Sequence, residues 1–199
     1  MTALIKEARD AFKAHGGTLR TTEALAAGIH PRTLYAMRDA GQVEALARGV
    51  YRLTDLPPLA NPDLATVARC IPQGVICLIS ALAFHELTTQ VPHEVHLAIS
   101  RTARRPRLTF PPLRIYRFSS TAFVAGVDTH VIDNIPVRVY SPEKTLADCF
   151  KYRSKIGMDV VLESLRTYHR RKPRFQRVLE YARLCRVERL MRPYLEALA

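Results

Sequence analysis

Three histidines, His85, His93 and His96, lie close together in the 199-residue chain and are the first candidates for chemistry. A zinc site needs three or four ligands that converge on one point. His93 and His96 would point to opposite faces of a predicted strand, and His85-Glu86 lacks the second histidine of a metalloprotease helix. The chain also lacks GxxxxGK[ST], and no GxGxxG follows a predicted strand. We therefore expect neither a metal site nor a bound cofactor.

The second candidate is a polar cluster of Glu143, Lys144 and Asp148, which could serve acid–base catalysis. Ser141-Pro142 before it is, however, typical of a helix start, because serine caps free N–H groups and proline suits the first turn. We therefore expect a helix with a solvated first turn and one buried face. The sequence predicts no catalytic residue, and we expect that the protein is not an enzyme.

A third group of side chains could read DNA. Arg32, Thr33 and Tyr35 lie together after His30-Pro31, and Arg48 follows in a predicted turn. A major groove accepts a cation at guanine edges or phosphate, hydroxyls at phosphate, and aromatic contacts at thymine methyl groups. An arginine at the tip of a turn can enter a minor groove or reach phosphate. These residue types therefore predict contacts with double-stranded DNA.

Predicted helices would present these side chains. The first has an apolar stripe over residues 4–15 and ends at a Gly-Gly pair, which allows a left-handed cap. The second covers residues 23–27 with Thr21 or Thr22 as its N-cap, and the third covers residues 31–40. The turn between the last two has the spacing of a helix-turn-helix. The predicted core consists of Ala24, Leu25, Ile29, Leu34 and Met37.

A predicted hairpin follows the third helix. Two β-prone runs, residues 43–47 and 50–53, flank a turn at Arg48-Gly49. A hairpin directly after a recognition helix is typical of the wing of a winged helix-turn-helix domain. The alternative is a three-helix packing module whose arginines are only solvated.

The remainder of the chain is predicted to form a second domain, and the fold class is α+β. A proline-rich junction at residues 55–59 places the boundary between them. Residues 1–56 would form the winged helix-turn-helix domain, and residues 57–199 a mixed sheet with a helical C-terminal part. Strands are expected up to about residue 140 and helices beyond it, with one further helix capped by Ser80 in the strand region.

Composition excludes several classes of protein. The chain carries 30 Lys or Arg against 18 Asp or Glu, a formal net charge of +12, and 48% of its residues are hydrophobic. This fraction of hydrophobic residues is sufficient for a folded core, whereas disordered tails have fewer hydrophobic residues. No run of about 18 apolar residues is present and the N-terminus is unlike a secretory signal, so we expect no membrane partner. The four scattered cysteines are expected to be reduced, which indicates a cytoplasmic protein.

The basic charge is concentrated toward the C-terminus. Residues 1–56 hold 8 basic and 6 acidic residues, residues 57–140 hold 8 and 5, and residues 141–199 hold 14 and 7. Basic surfaces favour polyanions, because phosphate binding releases counterions. Arginine-rich loops could form an antitoxin or polyanion surface, or could simply be solvated. The candidates are Arg104 and Arg105 in one loop and Arg170, Arg171 and Lys172 in another.

Three stretches resemble the AbiEi-type antitoxins of bacterial toxin–antitoxin systems. The first is residues 28–53, with GIHPRTLY entering the third helix and ARGVYRL in the wing. The second is SALAFHELT over residues 80–88, similar to the family signature Ser-Ala-Leu-x-x-His-Gly-Leu-Thr. The third is VYSPEKTLADCF over residues 139–150, followed by KIGMD. Glu86 departs from the family, which usually has glycine there.

The resemblance implies a winged-helix transcriptional repressor that binds inverted repeats in the operator DNA of its own promoter. It also implies a C-terminal domain that counteracts a nucleotidyltransferase-like toxin, directly or indirectly, in phage defence. By position, the DNA-binding residues would be Arg32, Thr33, Tyr35, Arg38 and Arg48, to which we add Thr22 at the start of the second helix.

Alternatives from other classes stay open. One is a nucleic-acid-processing enzyme with its site in the C-terminal domain, for which Asp148 would be the residue to test. Another is a DNA-binding regulator without antitoxin activity, and a third is an interaction module that binds only the toxin. Binding of the chain to its own promoter and to the product of the neighbouring gene would separate them.

Overall fold

The computed structural model describes residues 2–171 and 173–198. Its helices are α1 (Thr2–Ala14), α2 (Thr21–Ala26), α3 (Pro31–Asp39), α4 (Pro62–Cys70), α5 (Leu78–Phe84), α6 (Ser120–Val124), α7 (Pro142–Lys151), α8 (Arg153–Ile156), α9 (Met158–His169), α10 (Phe175–Cys185) and α11 (Glu188–Glu196). Its strands are β1 (Thr18–Arg20), β2 (Val43–Ala47), β3 (Val50–Leu53), β4 (Val75–Ile76), β5 (Val95–Ser100), β6 (Leu113–Phe118), β7 (Val127–Ile132) and β8 (Ile135–Tyr140).

The chain divides into two compact units. The first contains the residues up to 72 together with 107–111 and 131–137. The second contains residues 73–106 and 112–130 and the residues from 138 onward. Helix α4 belongs to the first of these compact units. The domain boundary between residues 56 and 57 stays a prediction.

The first unit contains a helix-turn-helix followed by a wing. Helices α1, α2 and α3 pack with an antiparallel sheet of order β1-β3-β2, in which β2 and β3 are the hairpin. Its core includes Phe12, Leu19, Leu34, Met37 and Leu53, whose side chains are essentially inaccessible. The predicted winged helix-turn-helix and the α+β fold class are confirmed.

Two local expectations for α2 are wrong. The N-cap is Arg20, whose backbone N–H donates to the Glu23 carboxylate at 2.8 Å, and Thr21 already lies within the helix. Leu25 is 45% exposed, whereas its neighbour Ala24 is completely buried. Successive helical residues differ in direction by about 100°, and α2 has a single buried face, so Leu25 points away from the core that Ala24 contacts.

Helix α4 is tied to the rest of the first unit by a network of arginines. The Arg69 guanidinium donates to the Thr18 carbonyl at 2.8 Å and pairs with the Glu23 carboxylate. The Arg20 guanidinium donates in turn to the Arg69 carbonyl. Because Glu23 also accepts the Arg20 N–H, the start of α2 is fixed from both sides.

A mixed sheet follows in the order β6-β5-β4-β8-β7. Strand β5 runs parallel to β6, while β4 is antiparallel to β5 and parallel to β8. Strands β7 and β8 form a second hairpin, whose turn residues Asp133 and Asn134 have φ values of 50° and 63°. Asp and Asn tolerate this left-handed region better than other non-glycine residues, which explains the turn.

The predicted cap at Ser80 is wrong. Strand β4 covers only two residues, and α5 begins at Leu78 with Cys77 as its N-cap, so Ser80 lies inside the helix. Its hydroxyl oxygen accepts the backbone N–H of His96 at 2.9 Å. The apolar residues 75–79 therefore extend from β4 into α5. The Ser80 hydroxyl provides the hydrogen-bond acceptor that a buried N–H of β5 needs.

Helix α7 contradicts the expectation of a solvated first turn, because every residue from Glu143 to Phe150 is buried. The Lys144 Nζ and Asp148 Oδ2 atoms lie 2.5 Å apart, and both side chains are 0% exposed. The thiol of Cys185 donates to the other Asp148 oxygen at 3.2 Å, and the Lys144 ammonium lies 4.3 Å from the ring centroid of Tyr140. Burial raises the pKa of Asp148, and Lys144 opposes this shift.

Within residues 2–171 and 173–198, no helix has the length and apolar character that crossing a membrane requires. Cys77, Cys149 and Cys185 are buried thiols and Cys70 is a partly buried one. Burial raises the pKa of each of these thiols, so the unreactive protonated form is favoured.

Candidate nucleic-acid interface

Helix α3 carries side chains that were predicted to read DNA. His30 caps it, because its Nδ1 accepts the Arg32 N–H at 3.2 Å, and Pro31 occupies the first turn. Leu34 and Met37 are buried in the core of the first unit, so the opposite face of the helix points outward. On that outer face Arg32, Tyr35 and Arg38 are exposed and Thr33 is half-buried.

Arg38 and Tyr35 form a stacked pair on this face. The guanidinium carbon of Arg38 lies 5.1 Å from the ring centroid of Tyr35, and its Nη2 donates to Oδ1 of Asp39 at 2.7 Å. The hydrogen bond and charge of Asp39 raise the pKa of Arg38. Arg32 forms no ion pair with any residue that the structure describes. A guanine edge or a phosphate would therefore meet an available guanidinium at Arg32, beside a preorganised cation–π pair.

The wing is attached to the start of α2 through its turn. Arg48 is exposed there, and the Gly49 carbonyl accepts the backbone N–H of Thr21 at 2.9 Å and the Thr21 hydroxyl at 3.3 Å. Gly49 has a φ of 75°, and a Cβ at this position would lie 3.3 Å from the Thr21 hydroxyl oxygen. Glycine therefore permits both the turn and the approach. Thr22, the next residue of α2, is exposed.

The basic residues predicted for the second unit are at the surface where the structure describes them. Arg104 and Arg105 are exposed in the loop between β5 and β6, and Arg170 and Arg171 follow the end of α9. The Arg171 guanidinium donates to the carbonyl of His85 at 3.0 Å and lies 3.4 Å from the carboxylate of Glu86. Lys172 lies outside the described residues.

The three histidines occupy separate environments. The ring Nε2 of His85 lies 2.8 Å from the Tyr140 carbonyl, which can only accept, so Nε2 carries the proton. Burial lowers the pKa of His85. His96 is buried on β5, and His93 is exposed before that strand rather than on it. No group of three His, Cys, Asp or Glu in the described part of the chain could hold a metal ion.

Several residues with a role in positioning were missed from the sequence. Thr21 holds the wing rather than capping a helix, and Arg69 holds the start of α2 from 46 residues away. No short-range pattern signals such a distant ion pair. Arg174 belongs to the same basic segment as Arg170 and Arg171 in the sequence, whereas Arg177, at the start of α10, was not singled out.

Comparisons with known proteins concern the fold and the N-terminal residues. A search of curated proteins gives no match to the chain. The fold is similar to that of the RV2827C protein from Mycobacterium tuberculosis, with a TM-score of 0.54, 14% sequence identity, and coverage of 98% of this chain and 80% of that one. At this identity the similarity concerns the fold alone. Residues 6–54, which contain the helix-turn-helix and the wing, match the family of AbiEi antitoxin transcriptional regulators.

Proposed function

We propose that this protein is an antitoxin and an autoregulatory repressor that binds inverted repeats in its own operator DNA. The observation that carries the proposal is the outer face of α3, where Arg32 and Tyr35 are exposed above the buried Leu34 and Met37. This face lies within residues 6–54, which match a family of transcriptional regulators. The chemistry fits a recognition helix, because a free guanidinium and an aromatic ring suit guanine edges and thymine methyl groups.

The wing adds a second contact in this proposal. Arg48 projects from a turn whose position is set by the two hydrogen bonds of Gly49 with Thr21. Arg48 and Thr22 would contact the DNA backbone or the minor groove, while Thr33 and Arg38 would support the contacts of α3. Residues 1–56 hold 8 basic and 6 acidic residues, so affinity depends on a few well-placed side chains more than on total charge.

Binding to a labelled fragment of the protein's own promoter, followed by fluorescence anisotropy, tests the repressor role. Arg32→Ala with Arg48→Ala should weaken operator binding, since each lost base contact costs roughly 1–3 kcal/mol. The matched control is Lys6→Ala with Lys13→Ala, which removes the same charge from exposed positions of α1. No binding by the wild type at low salt, or equal losses in both double variants, would contradict the proposal.

The second half of the proposal is that the C-terminal part counteracts a nucleotidyltransferase-like toxin in the cytoplasm, as part of phage defence. One support is that residues 6–54 match a family of antitoxin transcriptional regulators. Another is the charge beyond position 140, where the chain has 14 basic and 7 acidic residues. Arg104, Arg105, Arg170, Arg171 and Lys172 would contribute to the surface involved. Charge reversal at the last three should reduce rescue of growth when the neighbouring gene product is co-expressed.

Co-purification of the two proteins separates direct from indirect neutralisation. A stable complex supports direct binding, and rescue without a complex supports an indirect route. In both cases the protein would act without catalysis of its own. The alternative of an enzyme relying on Asp148 is disfavoured, because that carboxylate is 0% exposed and already bonded to Lys144 and Cys185.

A further inference from the structure

The second unit contains a cleft of about 470 Å³ that the proposed DNA contacts do not use. Its volume lies in the usual range of small-molecule sites, roughly 300–1,000 Å³. The walls come from the end of α5, the start of α7, the end of α9 and the start of α10. Several separate elements thus converge on one concave site.

The rim of the cleft is cationic. Arg171, Arg174 and Arg177 line it, and all three are exposed. Arg171 is anchored by its hydrogen bond to the His85 carbonyl at 3.0 Å. The backbone N–H of Arg174 donates to the hydroxyl of Tyr168 at 3.0 Å, which holds the residue before α10 at the cleft wall. Guanidinium groups grouped in this way suit a phosphate, which each can bind through two parallel hydrogen bonds.

The interior of the cleft has the opposite character. Glu143 is only 6% exposed, and its Oε1 accepts the hydroxyl hydrogen of Tyr168 at 3.0 Å. Asp128, which is exposed, also lines the cleft, while the buried Leu87 and the half-buried Pro142 provide apolar wall. An ionised carboxylate can only accept hydrogen bonds. A ligand that fills the cleft must therefore present donors to Glu143 and negative charge to the arginines.

This combination excludes the simplest ligands. Inorganic phosphate is much smaller than the cleft and would leave the apolar wall at Leu87 and Pro142 without a partner. A purely cationic ligand would be repelled by the arginines. A nucleotide has the required distribution of groups, because its phosphates are anionic and its ribose hydroxyls and base amino groups are donors. Its flat base also suits an apolar wall.

We propose that this cleft is a nucleotide-binding site, with phosphate on Arg174 and Arg177 and a ribose or base donor on Glu143. Arg171 lines the phosphate end but already donates to His85. The nucleotide is either free in solution or the 5′-phosphorylated end of a nucleic-acid strand, because both carry the same groups. The site lies in the second unit and goes beyond the DNA contacts proposed for α3 and the wing.

Isothermal titration of the full chain with ATP, with a 5′-phosphorylated hexanucleotide and with inorganic phosphate tests the proposal. ATP or the hexanucleotide should bind with one-to-one stoichiometry and more tightly than phosphate. A preference between these two tells which source the site uses, and either one supports the proposal. Failure of both to bind at millimolar concentration would overturn it, as would tighter binding of a polyglutamate peptide, which would indicate an acidic protein surface.

Matched variants locate the binding. Arg174→Ala and Arg177→Ala should each weaken ATP or hexanucleotide binding at least tenfold, since a charge-assisted hydrogen bond is lost. Arg189→Ala removes an exposed arginine of α11 that does not line this cleft and should have no effect. Equal losses in all three variants would show diffuse attraction and overturn the site.

Glu143→Gln provides an independent readout. Glutamine keeps the size of the side chain and an oxygen that accepts from Tyr168, but removes the charge. The variant should bind nucleotide more weakly and inorganic phosphate more tightly, which a purely structural role of Glu143 would not produce. If the ratio of nucleotide affinity to phosphate affinity stayed at the wild-type value, the proposed contact of Glu143 with the nucleotide would be contradicted. Operator binding by the same variants should stay at the wild-type level, so failure here is distinguishable from failure of the repressor function.

Discussion

Two helices, α3 in the first compact unit and α7 in the second, place charged side chains in opposite environments. In the first unit, α3 keeps Arg32 at the surface and turns Leu34 inward. In the second unit, α7 is surrounded on all sides and holds Lys144 and Asp148 in the core. The comparison teaches that a charged residue in a helix indicates a solvated face only where the helix has one. In a helix that is buried on all sides, charged side chains can instead form ion pairs with one another.

The largest effect is expected from breaking the buried pair. Lys144→Ala leaves the Asp148 carboxylate without its cation in a fully buried site, and such a loss costs about 3–5 kcal/mol. The free energy of unfolding, measured by urea denaturation, should fall by this amount. Replacing both residues with apolar ones, in Lys144→Met with Asp148→Leu, should cost much less, because no charge is left unpaired.

The control for this prediction is the solvent-accessible pair of Arg192 and Glu188, whose side chains are 47% and 23% exposed and which has the same four-residue spacing in α11. Arg192→Ala should leave the urea midpoint almost unchanged, since water replaces the lost partner. If Lys144→Ala is as mild as this control, the buried pair does not hold the second unit together and the contrast between the units fails.

The next largest effect separates the two faces of α3. Leu34 is completely buried, so Leu34→Ala should lower the free energy of unfolding by about 2–5 kcal/mol. Tyr35, its neighbour, is 43% exposed and belongs to the proposed DNA-contacting face. Tyr35→Ala should leave stability within about 0.5 kcal/mol of wild type and weaken operator binding instead. Urea denaturation and fluorescence anisotropy measure the two quantities. Destabilisation by Tyr35→Ala without loss of binding would reverse the assignment of the faces.

The smallest predicted effect is on the pH dependence of stability. It comes from His96, which is buried on β5 in the second unit. Burial lowers the pKa of His96 to about 4, although the Glu94 carboxylate 4.0 Å away opposes the shift. In the unfolded chain the pKa is about 6.5, so the folded state binds the proton more weakly. Stability contributed by the neutral ring is therefore complete above pH 6.5 and is lost as the pH falls toward 4. The loss should be on the order of 2–3 kcal/mol.

His96→Gln should remove this part of the pH dependence, whereas His93→Gln should keep it, because His93 is exposed. Carboxylates titrate in the same range in both variants, so the difference between the two unfolding curves is the quantity to compare. Identical pH profiles for the two variants would show that His96 is protonated as easily in the folded chain as in water.

The sequence predicts the first unit well because its signals are local. Glycines end the helices, Pro31 begins α3, and the apolar positions 29, 34 and 37 define one side of a small core. Leu25 was assigned to that core wrongly, because it stands beside Ala24 and both are apolar. The sequence alone does not tell which of two adjacent apolar residues faces inward.

The second unit was predicted less completely because its key contacts are distant in sequence. The spacing of Lys144 and Asp148 permits an ion pair, but whether water surrounds it depends on what covers the helix. Glu143 and Tyr168, which meet in the cleft, are separated by 25 residues and by one other helix, α8. No periodicity within a single helix can reveal such a meeting.

The first unit is not one continuous piece of chain, because it includes residues 107–111 and 131–137. The Asp133 carboxylate accepts the backbone N–H of Ala60 at 2.8 Å, and a Cβ on Gly16 would come within 2.8 Å of the Cβ of Asn134. A gene fragment that ends at residue 56 or 72 would encode α3, the helix proposed to contact DNA, but would lack Asp133 and Asn134. The residues that match the regulator family therefore belong to a compact unit that a later segment of the chain completes, and we expect changes at the Asp133-Asn134 turn to affect the stability of that unit.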